Sequence, residues 1–182
     1  MKPNIILLGI NHCGSSVAAE MLKRLGWNIP DTGKGFIKRN EIKWAHEANT
    51  KFRAGGIIKI DLLKKRIAKL EKPWIIKDPK FVITLDYWHE LFNKLPLLIF
   101  VERETERLKL SFKKRNQFAK EKVPGEYGYT VKKLNRMAHE RYENWEGAKT
   151  RIKYDDIRRA VFVFDTKRKD TTNRKFGKSG WK

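Results

Sequence analysis

Cysteine is almost missing: Cys13 is the only one in 182 residues. A lone thiol forms no internal disulfide and builds no cysteine-based zinc cluster. Long apolar runs are missing too. The first, Ile5 to Leu8, is too short for a signal-peptide core and leads straight into glycine-bearing sequence. No stretch reaches the roughly 18–20 apolar residues that span a bilayer. The expectation is a soluble, cytoplasmic protein with no membrane partner. Acidic residues are scarce beside basic ones, 21 against 42, for a formal charge of +21. That excess gathers anionic partners, whether nucleotide, nucleic acid, glycan or acidic surface, without choosing among them. A generally basic proteome gives the same number. Hydrophobic residues at 40% and aromatics at 12% are enough for a core, which sets the chain apart from a disordered polycation. The length suits one domain.

Apolar runs and helical periods alternate along the chain. Ile5 to Leu8 ends at Gly9 and reads as a strand buried on both faces. Val17, Met21, Leu22 and Leu25 then recur at helical spacing, and Gly26 supplies a stop. Asn40 is expected to cap a helix through Ile42, Trp44, Ala45 and Ala48, and Asp61 one carrying Leu63, Ile67 and Leu70 on a single face. Trp74 to Lys77 and Leu97 to Val101 read as further strands, each introduced by a proline. A helical period holds Leu85, Trp88, Leu91 and Phe92, and a charged helix runs from about Glu104 to Lys120. Val131, Leu134, Ala138, Tyr142 and Trp145 form a helical stripe; Ile152 to Tyr154 and Val161 to Phe164 are short strand candidates. The pattern predicts a three-layer α/β fold with a central parallel sheet flanked by helices. Residues 166–182 read as a basic tail beyond the domain of residues 1–165.

Three segments carry chemistry. Gly9-Ile10-Asn11-His12-Cys13-Gly14-Ser15-Ser16 joins the first strand to the first helix. Small residues there let backbone N–H groups close on a phosphate at a helix N-terminus; a tight turn with a serine cap reads equally well. The Gly-Lys-Ser/Thr ending of a Walker A loop is missing. Lys77-Asp78-Pro79-Lys80 ends the second strand, either neutralising an anion or simply turning the chain. Arg103 and Ser111 follow the third strand. They either face the crevice where open α/β sheets hold ligands or lie on a solvated helix face.

In that order, the three segments resemble the P-loop sulfotransferase superfamily, especially its small bacterial and viral members. Its pattern runs from a Gly-x-His-Arg-Ser-Gly-Thr-Ser loop through Lys-Asp-Pro-Arg to Arg-(seven residues)-Ser and then Arg-Asn. Here Gly9 to Ser16, Lys77 to Lys80 with Trp88, Arg103, Ser111 and Arg115-Asn116 correspond, and Ile152 to Ile157 is similar to a Tyr-Glu/Asp-Asp-Leu segment. The resemblance implies a P-loop-like fold and 3′-phosphoadenylyl sulfate (PAPS) as donor, with 3′-phosphoadenosine 5′-phosphate (PAP) as product and no metal. It implies that Asn11, His12, Cys13, Gly14, Ser15 and Ser16 hold the 5′-phosphosulfate, and that Arg103 and Ser111 hold the 3′-phosphate. Arg174-Lys175 with Trp181-Lys182 is similar to another 3′-phosphate segment of cytosolic members. His12 and Lys77 are the implied electrostatic catalysts.

Two departures matter. His12 stands where the family carries a basic residue, and Lys80 where it carries arginine. Relatives often place a glutamate base after a Gly-aromatic pair. After Gly35-Phe36 this chain has Lys38, then Glu41, the candidate base. His46, beside Glu47, reads as structural. The implied partners are a nucleotide donor and an unidentified acceptor, anionic or a glycan among the options. The rival is a non-catalytic basic α/β protein that binds nucleotide or nucleic acid through phosphate neutralisation. A nucleotide kinase ranks third, for want of the P-loop lysine.

Overall fold

The structure, a computed structural model, describes residues 2–30, 40–114, 129–157 and 159. Four parallel strands form one sheet in the order β2-β1-β3-β4. β1 (Ile5–Leu8) is buried along its whole length, because both its neighbours and the helices above and below exclude water. Its unbroken run of β-branched and leucine side chains suits that position. β2 (Ile75–Lys77) and β3 (Leu97–Glu102) flank it, with Ile5 opposite Ile75 and Leu97. β4 (Lys149–Lys153) adds to β3, with Ile152 opposite Val101.

The helices are α1 (Ser15–Arg24), α2 (Lys43–Arg53), α3 (Ile60–Ala68), α4 (Phe81–His89), α5 (Thr105–Lys114) and α6 (Val131–Glu143). The fold is three-layer α/β, as the alternation of apolar runs and helical periods predicted. α4 is the most apolar helix because it lies within the core: Phe81 and Trp88 are fully buried and meet edge to face at 5.2 Å. The Trp88 indole N–H, which burial would otherwise strand, donates to Asn49 Oδ1 on α2. Thr84 donates to the same oxygen at 2.8 Å. α2 and α4 are thereby locked side by side.

Several local expectations change. Asn40 caps nothing: α2 has Ile42 at its N-cap and no side-chain cap, and Asn40 takes a left-handed φ of 53°. Asp61 falls inside the first turn of α3, after Lys59 at the N-cap, where its charge meets the positive end of the helix instead of capping it. β4 starts earlier than expected and stops before Tyr154, which opens a helical turn. The expected strand at 161–164, the second half of the charged helix, Arg115-Asn116 and the tail all lie outside the described residues.

Candidate active site

The connections after β1 and β3 leave in opposite directions, since β1 leads to β2 on one side and β3 to β4 on the other. That reversal opens a crevice at the carboxyl ends of β1 and β3, where sheets of this kind take ligands. The loop Gly9–Gly14 follows β1, and Arg103 follows β3. They meet there: Arg103 Nη1 donates to the His12 carbonyl at 2.7 Å, across 91 residues of sequence. The guanidinium also lies over the Tyr154 ring at 4.1 Å. Its Nε is buried and has no hydrogen-bond partner among the described residues.

The loop closes on itself through the Cys13 N–H, which donates to the Ile10 carbonyl at 3.2 Å. It then turns through two left-handed residues, His12 at φ 67° and Gly14 at φ 99°. A side chain at Gly14 would meet the Tyr154 ring at 2.5 Å, so glycine is required there by both backbone and space. α1 starts immediately after, and its N-terminus aims partial positive charge at the loop. The His12 ring stands edge-on to Phe112 of α5, 4.5 Å away. Ser111, beside Phe112, is half-buried on the same helix, and Asn11 is half-buried in the turn.

Cys13 points down into the core, 1% exposed. Burial pushes its thiol pKa up, despite hydrogen bonds from the Ser15 hydroxyl and backbone and the nearby charge of Lys77. It is an uncharged packing group, unlike a reactive cysteine. Ser15, also buried, turns toward it. What these two residues can give a ligand comes from the backbone. Ser16 is the hydroxyl tied into the polar network beside the loop.

That network was largely invisible in the sequence. Lys77, at the carboxyl end of β2, is 3% exposed; its Nζ donates to Ser16 Oγ at 3.0 Å and to Glu41 Oε1 at 2.9 Å. Glu41 Oε2 lies 3.5 Å from His46 Nδ1, which lies 3.1 Å from Asp78 Oδ2. Lys80 Nζ sits 2.7 Å from His46 Nε2, and the Lys80 N–H donates to Asp78 Oδ1 at 2.8 Å. Burial alone would raise the Asp78 pKa. The His46 hydrogen bond, the charges of Lys80 and His46 and the Lys80 N–H outweigh it and hold Asp78 below the usual carboxylate range. Asn40 joins from the other side, donating to the Ser16 carbonyl at 3.1 Å.

The structure thus brings His12, Gly14, Ser16, Arg103, Lys77 and Glu41 to one end of the sheet, with Cys13 and Ser15 beneath. Sequence reasoning missed Asn40, His46 and Asp78 as parts of one network. Glu41 precedes α2 and His46 lies within it, so no single periodicity links them. Arg174 and Lys175 lie outside the described residues. Among the described residues, no group of three or more His, Cys, Asp and Glu side chains could hold a metal ion, and no helix is long and apolar enough to cross a membrane.

No protein-family profile matches the chain, and no curated protein matches it. Solved structures do. The deoxyadenosine kinase of M. mycoides with bound dATP superposes with a TM-score of 0.51 at 18% identity, over 90% of this chain and 98% of that one. The same kinase with products dCMP and a flexible dCDP gives 0.46 at 15% identity, over 92% and 99%. The first likeness supports the fold: a three-layer α/β domain with a central parallel sheet. Gly9 and Gly14 have the spacing of the two glycines in a Walker A loop, with Ser15 in the position of its lysine.

Proposed function

We propose that residues 1–165 form a sulfotransferase domain that moves a sulfuryl group from PAPS to a hydroxyl or amine acceptor, with residues 166–182 as a basic tail. The observation that carries this reading is Lys77. The loop has no lysine of its own, and a buried ammonium reaches its Ser16 from the neighbouring strand instead. A fixed cation beside a phosphate cradle stabilises charge on the departing phosphate oxygen, in a setting where water cannot compete.

In this reading, the Gly14–Ser16 backbone and the start of α1 hold the 5′-phosphate. Arg103 and Ser111 hold the 3′-phosphate, with Arg174 and Lys175 as further contacts. The acceptor oxygen or nitrogen forms a bond to sulfur as the bond from sulfur to the bridging oxygen breaks, and PAP leaves. Lys77 and His12 take up the charge developing on that oxygen. Glu41, paired with Lys77, takes the acceptor proton.

A second reading has the specific support of the loop's glycine spacing and the kinase fold: phosphoryl transfer from ATP with Lys77 replacing the loop lysine. The net charge supports a third, a non-catalytic nucleotide- or nucleic-acid-binding protein. Thermal shifts with PAP, AMP, ATP and an oligonucleotide separate the three. The sulfotransferase reading expects PAP to stabilise most; a larger shift with ATP, or with the oligonucleotide alone, overturns it.

A further inference from the structure

The sequence Gly55-Gly56-Ile57-Ile58-Lys59-Ile60-Asp61-Leu62-Leu63 carries more aliphatic surface than the fold covers. α3 buries Leu63 and Ile67, at 4% and 9% exposure. Ile60 and Leu62 remain 37% and 45% exposed, and Ile57 is 95% exposed. Ile57 is not on a loose segment. The Gly55 and Gly56 N–H groups donate to the Phe52 and Lys51 carbonyls at 3.2 and 3.0 Å, so the turn is fastened to the end of α2 and projects Ile57 outward. Lys59, Lys64 and Lys65 are neighbours of these aliphatics in sequence and all exposed, and Asp61 is the only acidic residue between 54 and 70.

An isoleucine held out on a fastened turn, with the partly exposed Ile60 opening the helix that follows, marks a contact surface, and the lysines select an anionic one. A nucleic acid or sulfated glycan would satisfy the lysines but offer nothing to Ile57. An anionic bilayer answers both, with headgroups for the ammonium groups and the acyl boundary for the isoleucines. We propose that the α2–α3 turn and the first turn of α3 dock on an anionic lipid surface, with Ile57 entering the acyl boundary. This is a peripheral contact that needs no spanning helix. It departs from the sequence expectation of no membrane partner, which rested on the lack of a spanning run.

The test is co-sedimentation of the full chain with vesicles of phosphatidylcholine alone or mixed with phosphatidylserine. A molecule this basic gathers at anionic lipid through charge alone, so the decisive variant keeps the charge. Ile57→Ser is expected to weaken binding to the mixed vesicles about tenfold, as befits removing one inserted aliphatic side chain; Ile57→Leu should bind as wild type. Lys132→Ser, an exposed change on α6, should weaken it far less. Ile57 touches little of its own fold, so its variants stay folded. Equal binding by wild type and Ile57→Ser overturns the proposal, as does no preference for phosphatidylserine, or an Ile57-dependent complex with an acidic protein and none with vesicles.

Discussion

The Lys77 ammonium lies 2.9 Å from the Glu41 carboxylate, and both side chains are at most 5% exposed. A buried ion pair of this kind adds little net stability, because desolvating two charges costs about as much as their attraction returns. Breaking one half is another matter, since it leaves a buried charge without its partner. Lys77→Met is therefore expected to destabilise the fold by about 3–5 kcal/mol, and Lys77→Met with Glu41→Gln by distinctly less. Denaturant unfolding of the two singles and the double measures the coupling. Additive losses would mean that the two charges do not depend on each other.

Gly14 carries a steric prediction. Its φ of 99° costs an L-residue about 1–2 kcal/mol, and a Cβ would strike the Tyr154 ring. Gly14→Ala should lower stability by more than the backbone cost alone. Adding Tyr154→Ala should recover the steric part and leave the backbone part. Thermal melts of the three variants give the comparison. A neutral Gly14→Ala would contradict the described loop.

Asp78 makes acid stability a readout of the network. Its folded pKa is below the ordinary value of about 3.9, so the unfolded chain takes up the proton first as pH falls. The stability that this carboxylate contributes is complete above about pH 5 and is lost as pH drops through the folded pKa. Wild-type unfolding free energy should fall along that acid limb, and Asp78→Asn should be less stable at neutral pH with a flatter limb. Parallel limbs in the two proteins would remove Asp78 from the pH dependence.

Arg103 tests which phosphate is recognised. PAP should bind more tightly than AMP to wild type, by on the order of 1.5–3 kcal/mol for one added charge-assisted contact. Arg103→Ala should bring the two nucleotides together while leaving AMP affinity little changed. Titration calorimetry with both ligands decides it. An undiminished preference in the variant would assign the 3′-phosphate to other residues.

The strands and most helices were legible because each announces itself locally. Ile5 to Leu8 and Leu97 to Val101 have no polar interruption, which suits a strand buried on both faces. Ends were harder. Asn40 has the chemistry of a cap, yet its side chain is drawn to the Ser16 carbonyl by a contact 24 residues away. The loop and Lys77 were legible as motifs, but not their pairing: Lys77 to Glu41 spans 36 residues and Arg103 to His12 spans 91. The sheet order creates such contacts, and periodicity does not record it. For the same reason the sequence did not show that the His46 imidazole stands between Glu41, Asp78 and Lys80.

The most direct measurement is turnover of the phosphosulfate donor by wild type and His12→Ala, each with an acceptor panel, beside their affinities for PAP. The account predicts acceptor-dependent release of PAP by wild type. In His12→Ala it predicts a rate about 100–1000-fold lower, the usual cost of losing one donor to charge formed in the transition state. PAP affinity should hold, because backbone N–H groups and Arg103 carry that contact. Phosphoryl transfer from ATP with no release of PAP would contradict the account.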